Sequence, residues 1–162
     1  VNPAAARKRR ALVWSALAAL FVAALGAAMT DLSPWYYALE QPAWAPPDWL
    51  FGPAWTLIFG LTAMSAYLVL IGEASSLRRR RLLMLFAFNG LLNVLWSLLF
   101  FKMRRPDWAL IEVVALWLSI WALMIGVART SRVASVLLLP YLAWVAFAGW
   151  LNRAVVQLNS PF

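Results

Sequence analysis

Five stretches of the chain are almost uninterrupted apolar runs: Leu12 to Met29, Trp49 to Ile71, Leu82 to Phe101, Trp108 to Ala128 and Val133 to Leu151. Each is long enough to cross a hydrocarbon core about 30 Å thick, which takes about 20 helical residues. Basic residues punctuate them. Arg7, Lys8, Arg9 and Arg10 precede the first run, and Arg78 to Arg81 close the second. Lys102, Arg104 and Arg105 follow the third, and Arg129 and Arg132 part the fourth from the fifth. The pattern predicts an all-α integral membrane protein: a bundle of five transmembrane helices over residues 12–152, between a basic tail at 1–11 and a C-terminal tail at 153–162. Short connections after the second span make successive helices antiparallel neighbours.

The segment 30–47 departs from this pattern. Pro34, Pro42, Pro46 and Pro47 forbid a spanning helix there, and Trp35, Tyr36, Tyr37 and Trp44 crowd it with aromatics. Ser33 followed by Pro34 is a helix-start signature, so Pro34 to Leu39 is expected to form a short lid helix inside the first loop. The first run, basic before and small-residued after, also has the layout of a secretory signal peptide. Its 18 residues exceed the usual h-region of about 7–15, and a retained helix is expected.

Composition narrows the chemistry. Of 162 residues 65% are hydrophobic and 12% charged, which leaves no room for a separate soluble domain. With 0 Cys and no His, disulfides, thiolate nucleophiles, Cys/His metal sites and imidazole acid/base catalysis are all excluded. A net charge of +8 would point to nucleic acid in a soluble protein. Here the charges sit at span ends and read as topology, so no nucleic-acid partner is expected. Ten of the fourteen Lys and Arg fall on the N-terminal tail and the second and fourth loops, which places the N-terminus in the cytoplasm if the membrane is an inner one.

Polar residues inside the spans are the candidate functional groups. Asn89, Asn93 and Ser97 recur every four residues and share one face of the third helix. They either hydrogen-bond across helices as glue or line a cavity and take a ligand's polar edge. The 11 Trp divide in two. Trp14, Trp35, Trp44, Trp49 and Trp108 lie near span ends, where an aromatic belt accounts for them. Trp55, Trp96, Trp117, Trp121, Trp144 and Trp150 lie within spans, where an indole N–H needs a partner, so they point either to a pocket or to core packing. Pro140 predicts a kink in the fifth helix next to Trp144. Glu112 is the one acid placed inside a span, about one turn from the start of the fourth helix, and it is expected to meet polar neighbours, an arginine or the interface. Without a second carboxylate nearby, neither paired-acid catalysis nor a metal cage has its ligands. Small residues at Ala19, Ala23 and Ala27, or at Ala122 and Gly126, offer faces for a homodimer.

The ordered segments Trp35-Tyr36-Tyr37-Ala38-Leu39-Glu40-Gln41-Pro42-Ala43-Trp44-Ala45-Pro46-Pro47, Gly52-Pro53-Ala54-Trp55, Asn89-Gly90-Leu91-Leu92-Asn93, Trp108-Ala109-Leu110 and Pro140-Tyr141-Leu142-Ala143-Trp144 resemble the signature segments of the TspO/MBR family over roughly residues 12–152. These are the tryptophan-rich sensory proteins, which include the mitochondrial translocator protein, or peripheral benzodiazepine receptor. The resemblance implies a five-helix bundle whose lidded cavity binds porphyrins, notably protoporphyrin IX, and synthetic isoquinoline-carboxamide or benzodiazepine ligands. By position it implies a ligand site of Tyr36, Pro46, Trp55, Phe59, Asn93, Trp96, Ser97, Trp144, Ala148 and Leu151. It also implies light-dependent porphyrin degradation involving Trp55 and Trp144, with no obligatory cofactor and no metal. The cholesterol-recognition pattern of vertebrate members is missing from Leu151-Asn152-Arg153-Ala154-Val155-Val156-Gln157, so steroid transport is not carried over. A transporter of tetrapyrroles or other amphipathic metabolites and a ligand-free membrane scaffold remain the alternatives. The chain has no repeat or intramembrane charge relay of the kind that couples transport to an ion gradient.

Overall fold

A computed structural model describes residues 2–162 and contains, among them, helices and no strands. Helix α1 (Pro3–Met29) starts nine residues before the first apolar run, because the Asn2 side chain caps the Ala4 N–H at 2.9 Å and Pro3 has its φ preset for the first turn. The basic quartet Arg7 to Arg10 is therefore helical rather than a tail. The lid helix α2 (Pro34–Ala38) forms as expected, but Ser33 makes no capping bond and its hydroxyl is buried without a partner. Proline alone sets that start.

A single 3₁₀ turn, Asp48–Leu50, leads into α3 (Phe51–Gly72), with Pro53 in its first turn. Helix α4 (Ser76–Ser97) begins at a Ser75 cap on the Arg78 N–H, so Arg78 to Arg81 ride on its first turns instead of preceding it. It loosens into a π turn over Leu98–Lys102, closed by Met103 N–H to Leu98 C=O at 2.8 Å and by Arg104 in the left-handed region at φ 55. Helix α5 (Pro106–Ala128) follows. The last span is broken: α6 (Arg132–Val136) and α7 (Leu139–Asn159) are parted at Leu137 and Leu138, since Pro140 in the first turn of α7 cannot donate to Val136. Helix α7 runs two turns beyond Leu151, so most of the segment expected as a C-terminal tail is helical.

Five helices, α1, α3, α4 and α5 with their flanking turns and the α6/α7 pair, are long and apolar enough to span a membrane. The chain is a multi-pass membrane protein. The ring closes in the order α1, α3, α6/α7, α5, α4. Helix α5 is its spine: Leu116, Ile120, Leu123 and Val127 are all at most 2% exposed. Close approach is set by glycine. A Cβ on Gly90 would stand 2.9 Å from Val22 of α1, and one on Gly126 would stand 2.9 Å from Leu82 of α4. Gly126, read from sequence as part of an outer dimer face, thus serves packing within the bundle.

Interior polar groups bond across helices. Ser65 donates to the Ala134 carbonyl at 2.8 Å, and Ser135 donates to that of Met124 at 3.0 Å. With its amide nitrogen facing Pro106, buried Asn152 donates to the Pro106 carbonyl at 3.0 Å and accepts from Leu110 N–H at 3.1 Å. At the N-terminal end of the bundle, Glu73 accepts from the Thr130 hydroxyl at 2.6 Å and the Ser75 N–H at 3.0 Å, joining two loops. Those bonds, Thr130 foremost, hold its carboxyl below the ordinary 4.5 against the opposing effect of burial, with Arg78 and Arg79 adding to the pull.

Candidate functional site

The lid is fastened at both sides. The Tyr36 phenol donates to Asp48 at 3.0 Å, and its ring meets Phe101 at 5.6 Å. Burial first, then that bond and the charge on Asp48, push the phenol well above its ordinary 10.0, so it remains a donor at neutral pH. Asn159, at the end of α7, accepts from the Glu40 N–H at 2.8 Å and returns a bond to the Glu40 carbonyl at 2.9 Å. Asn159 falls in the segment read from sequence as a tail, and a lone Asn near the chain end gave no signal of this clamp.

Beneath the lid the interior tryptophans form separate aromatic groups. Trp96 stacks on Phe100 at 5.2 Å, and Trp144 lies 5.7 Å from both Phe51 and Phe147. Trp55 stacks on Phe59 at 5.5 Å and meets the edge of Tyr141 at 6.1 Å. The indole nitrogens of Trp96, Trp117 and Trp144 are buried without partners, as are both oxygens of Glu112. Glu112 therefore finds none of the companions expected for it: α5 turns it inward, 9% exposed.

Below these rings the bundle opens. A cavity of about 710 Å³ lies between α1, α3 and α4, with Tyr141 of α7 at its inner end. Small residues make the room, among them Ala11, Ala19, Ala63, Ala66 and Gly90, while Phe59 and Phe86 supply aromatic wall. Asn89 and Asn93 also line it, and each is hydrogen-bonded across helices, Asn89 to Ser119 at 2.8 Å and Asn93 to the Tyr141 hydroxyl at 3.1 Å. Asn89 and Asn93 thus bond across helices and face the cavity at once, while Ser97 of the same stripe does not line it. Arg7, Arg10 and Arg79, from the N-terminal turns of α1 and α4, line the cavity too.

Of the ten residues expected from sequence, Phe59 and Asn93 line this cavity, and Trp55 backs it through Phe59. Trp96, Trp144 and Tyr36 belong to the lid-side aromatic groups. Pro46, Ser97, Ala148 and Leu151 are half-buried and do not line it. Sequence reasoning missed Ser15, Tyr141 and the three arginines. The arginines carried a signal, but one that topology accounted for completely. A shallower cavity of about 600 Å³ between α5 and α7, which Trp117 and Trp150 help line, contains none of the expected residues.

Residues 14–158 match the model of the TspO/MBR family, essentially the whole bundle with its lid. The chain belongs to the TspO/MBR family. It is 41% identical to the tryptophan-rich protein TspO of Chlorobaculum tepidum over 141 residues, covering 84% of this chain and 89% of that one. It is 37% identical to the tryptophan-rich sensory protein of Cereibacter sphaeroides over 149 residues, covering 89% and 92%. To the human translocator protein it is 33% identical over 127 residues, covering 77% and 75%. The matched span includes the lid helix α2 and helix α4.

Proposed function

We propose that this TspO/MBR member is a membrane receptor for amphipathic tetrapyrroles, with protoporphyrin IX as the ligand and the interior cavity as the site. The cavity is the observation that carries this reading. At about 710 Å³ it falls within the ~300–1,000 Å³ of small-molecule sites, and it combines apolar walls, an aromatic face at Phe59 and a polar inner end at Asn93 and Tyr141. A chain without His or Cys lacks the usual axial ligands of haem, so a metal-free ring suits it better. The N-terminus faces the cytoplasm in this reading, supported by the excess of Lys and Arg on that end of the bundle.

Titration of the detergent-solubilised protein with protoporphyrin IX should quench tryptophan fluorescence saturably, and Phe59→Ala should weaken binding by about tenfold, through loss of a stacking face. Unsaturable quenching, or unchanged affinity in Phe59→Ala, refutes the assignment. The stacking of Trp55 on Phe59 favours a photochemical consequence. An illuminated ring passes its energy to dioxygen or takes an electron from Trp55, and dioxygen is the oxidant that consumes the macrocycle. Loss of the Soret band should then need both light and oxygen, and should slow in Trp55→Phe while binding persists. Equal loss in the dark removes this step.

A further inference from the structure

The N-terminal end of the cavity has a chemistry that the rest of its lining does not. Arg7 and Arg10 come from one face of α1, a single turn apart, and Arg79 comes from the first turn of α4. Two of them are braced from behind. Arg7 donates through one terminal nitrogen to the Leu70 and Ile71 carbonyls at 3.3 Å, the free C-terminal carbonyls of α3, and Arg79 donates to the Glu73 carbonyl at 3.2 Å. A guanidinium has five N–H donors, so each keeps others free. The Arg10 side chain has no hydrogen bond or ion pair to the protein among the described residues.

None of the three arginines forms an ion pair with a carboxylate among the described residues, although the Glu73 charge lies near enough to Arg79 to feel it. The cavity lining contains neither Asp nor Glu, and the Glu73 carboxylate is taken by Thr130, Ser75 and Arg78, the last at 3.7 Å. The positive-inside pattern alone would be served by basic residues on any face. Lys8, Arg9, Arg78, Arg80 and Arg81 lie on the same turns and stay out of the cavity. The opposite, inner end carries only the neutral Asn93–Tyr141 pair. The chamber is therefore electrically one-ended, cationic at the N-terminal end and neutral toward the lid. Thr62 also lines it, and its hydroxyl is buried without a partner among the described residues.

We infer that the cavity selects amphipaths whose carboxylates lie along one edge of an apolar ring, and that Arg7, Arg10 and Arg79 hold that acid edge at the end of the bundle away from the lid. The inference rests on the tetrapyrrole reading and adds to it the specificity residues and the direction of the ligand. Guanidinium–carboxylate bonds are charge-assisted and often bidentate.

The test compares protoporphyrin IX with its dimethyl ester, which keeps the ring and loses both charges, on the full solubilised chain. The diacid should bind at least about tenfold more tightly than the diester. Arg7→Gln/Arg10→Gln/Arg79→Gln should lose that preference while still binding the diester. Lys8→Gln/Arg9→Gln/Arg80→Gln, with the same loss of charge outside the cavity, should keep it. Arg10→Gln alone gives up no protein contact, so it supplies a folded variant in which the preference should fall by about threefold or more. Equal binding of diacid and diester by the wild type overturns the inference and leaves the receptor reading standing, as does an equal loss in the control triple. Failure of both porphyrins to bind overturns the receptor reading itself, and this inference with it.

Discussion

Replacing Tyr141 by Phe removes one oxygen at the inner end of the cavity and no carbon, which makes it a clean probe of how that end works. The lost hydroxyl accepts from the Asn93 amide at 3.1 Å, and both residues are buried, Tyr141 at 3% exposed and Asn93 at 5%. Two magnitudes compete. A buried donor left wholly unpaired costs about 1–3 kcal/mol, whereas hydrogen bonds between membrane helices average about 0.6 kcal/mol because alternatives are usually at hand. Asn93 lines the cavity, so its freed N–H can turn to water or to a ligand, and the lower figure should prevail. At about 2–4 °C per kcal/mol for a chain of this size, thermal unfolding in detergent, followed by tryptophan fluorescence, should drop by only about 1–3 °C. Protoporphyrin IX affinity should hold or improve, since the released amide is a new donor at the inner end. A fall of 10 °C or more would mean that Asn93 has no access to the cavity, and a loss of porphyrin affinity would give the Tyr141 hydroxyl itself to the ligand.

Glu112→Leu should stabilise the protein by about 1–3 kcal/mol, because it removes a buried carboxyl that has no partner, while Glu112→Gln should change little; a lower melting temperature for the leucine variant would refute this. Gly90→Ala and Gly60→Ala should shift stability in opposite directions. The first puts a methyl 2.9 Å from a stiff valine, at about 1–3 kcal/mol of overpacking that outweighs a propensity gain of about 1 kcal/mol. The second enters open space and keeps the gain, so equal shifts in melting temperature would contradict the packing of α1 on α4. Glu73, whose folded carboxyl is held below 4.5, contributes stability that is present above 4.5 and lost as pH falls through the lower folded value. Acid denaturation should therefore flatten in Glu73→Gln, and an unchanged acid limb would remove Glu73 as its source.

How much of this was legible beforehand depends on what a bilayer lets a sequence say. Span number and lid were plain because length and hydropathy encode them directly, and proline marked both the lid and the broken last span. Helix ends were less plain, because hydropathy stops where the apolar run stops. Caps at Asn2 and Ser75 carry helices through basic residues that hydropathy treats as boundaries. The inward faces were hardest. In water a helix advertises its buried side by making the other side polar, but α1 and α3 are apolar nearly all round and show no stripe. What marks the interior is the exceptions. Asn89 and Asn93 point inward because amides are costly in lipid, and Gly90 does so because α1 crosses there at close range. The aromatic residues were ambiguous, since indoles suit the interface, the core and a ligand alike, and they divide between lid-side groups and cavity wall in a way that spacing does not encode.

The arginines show the same limit from the other side. One positive charge can set topology and coordinate a carboxylate at once, and a sequence that satisfies the first demand offers no residue left over to betray the second. Only the direction of the side chain separates the two roles. Arg7 and Arg10 share a face of α1 with Ala11 and Ser15 that turns toward the cavity, whereas Lys8 and Arg9 do not line it. Equal charge changes on these two sets should therefore have unequal effects on an anionic ligand and equal effects on topology, so the two roles are separable by experiment although a single pattern encodes both.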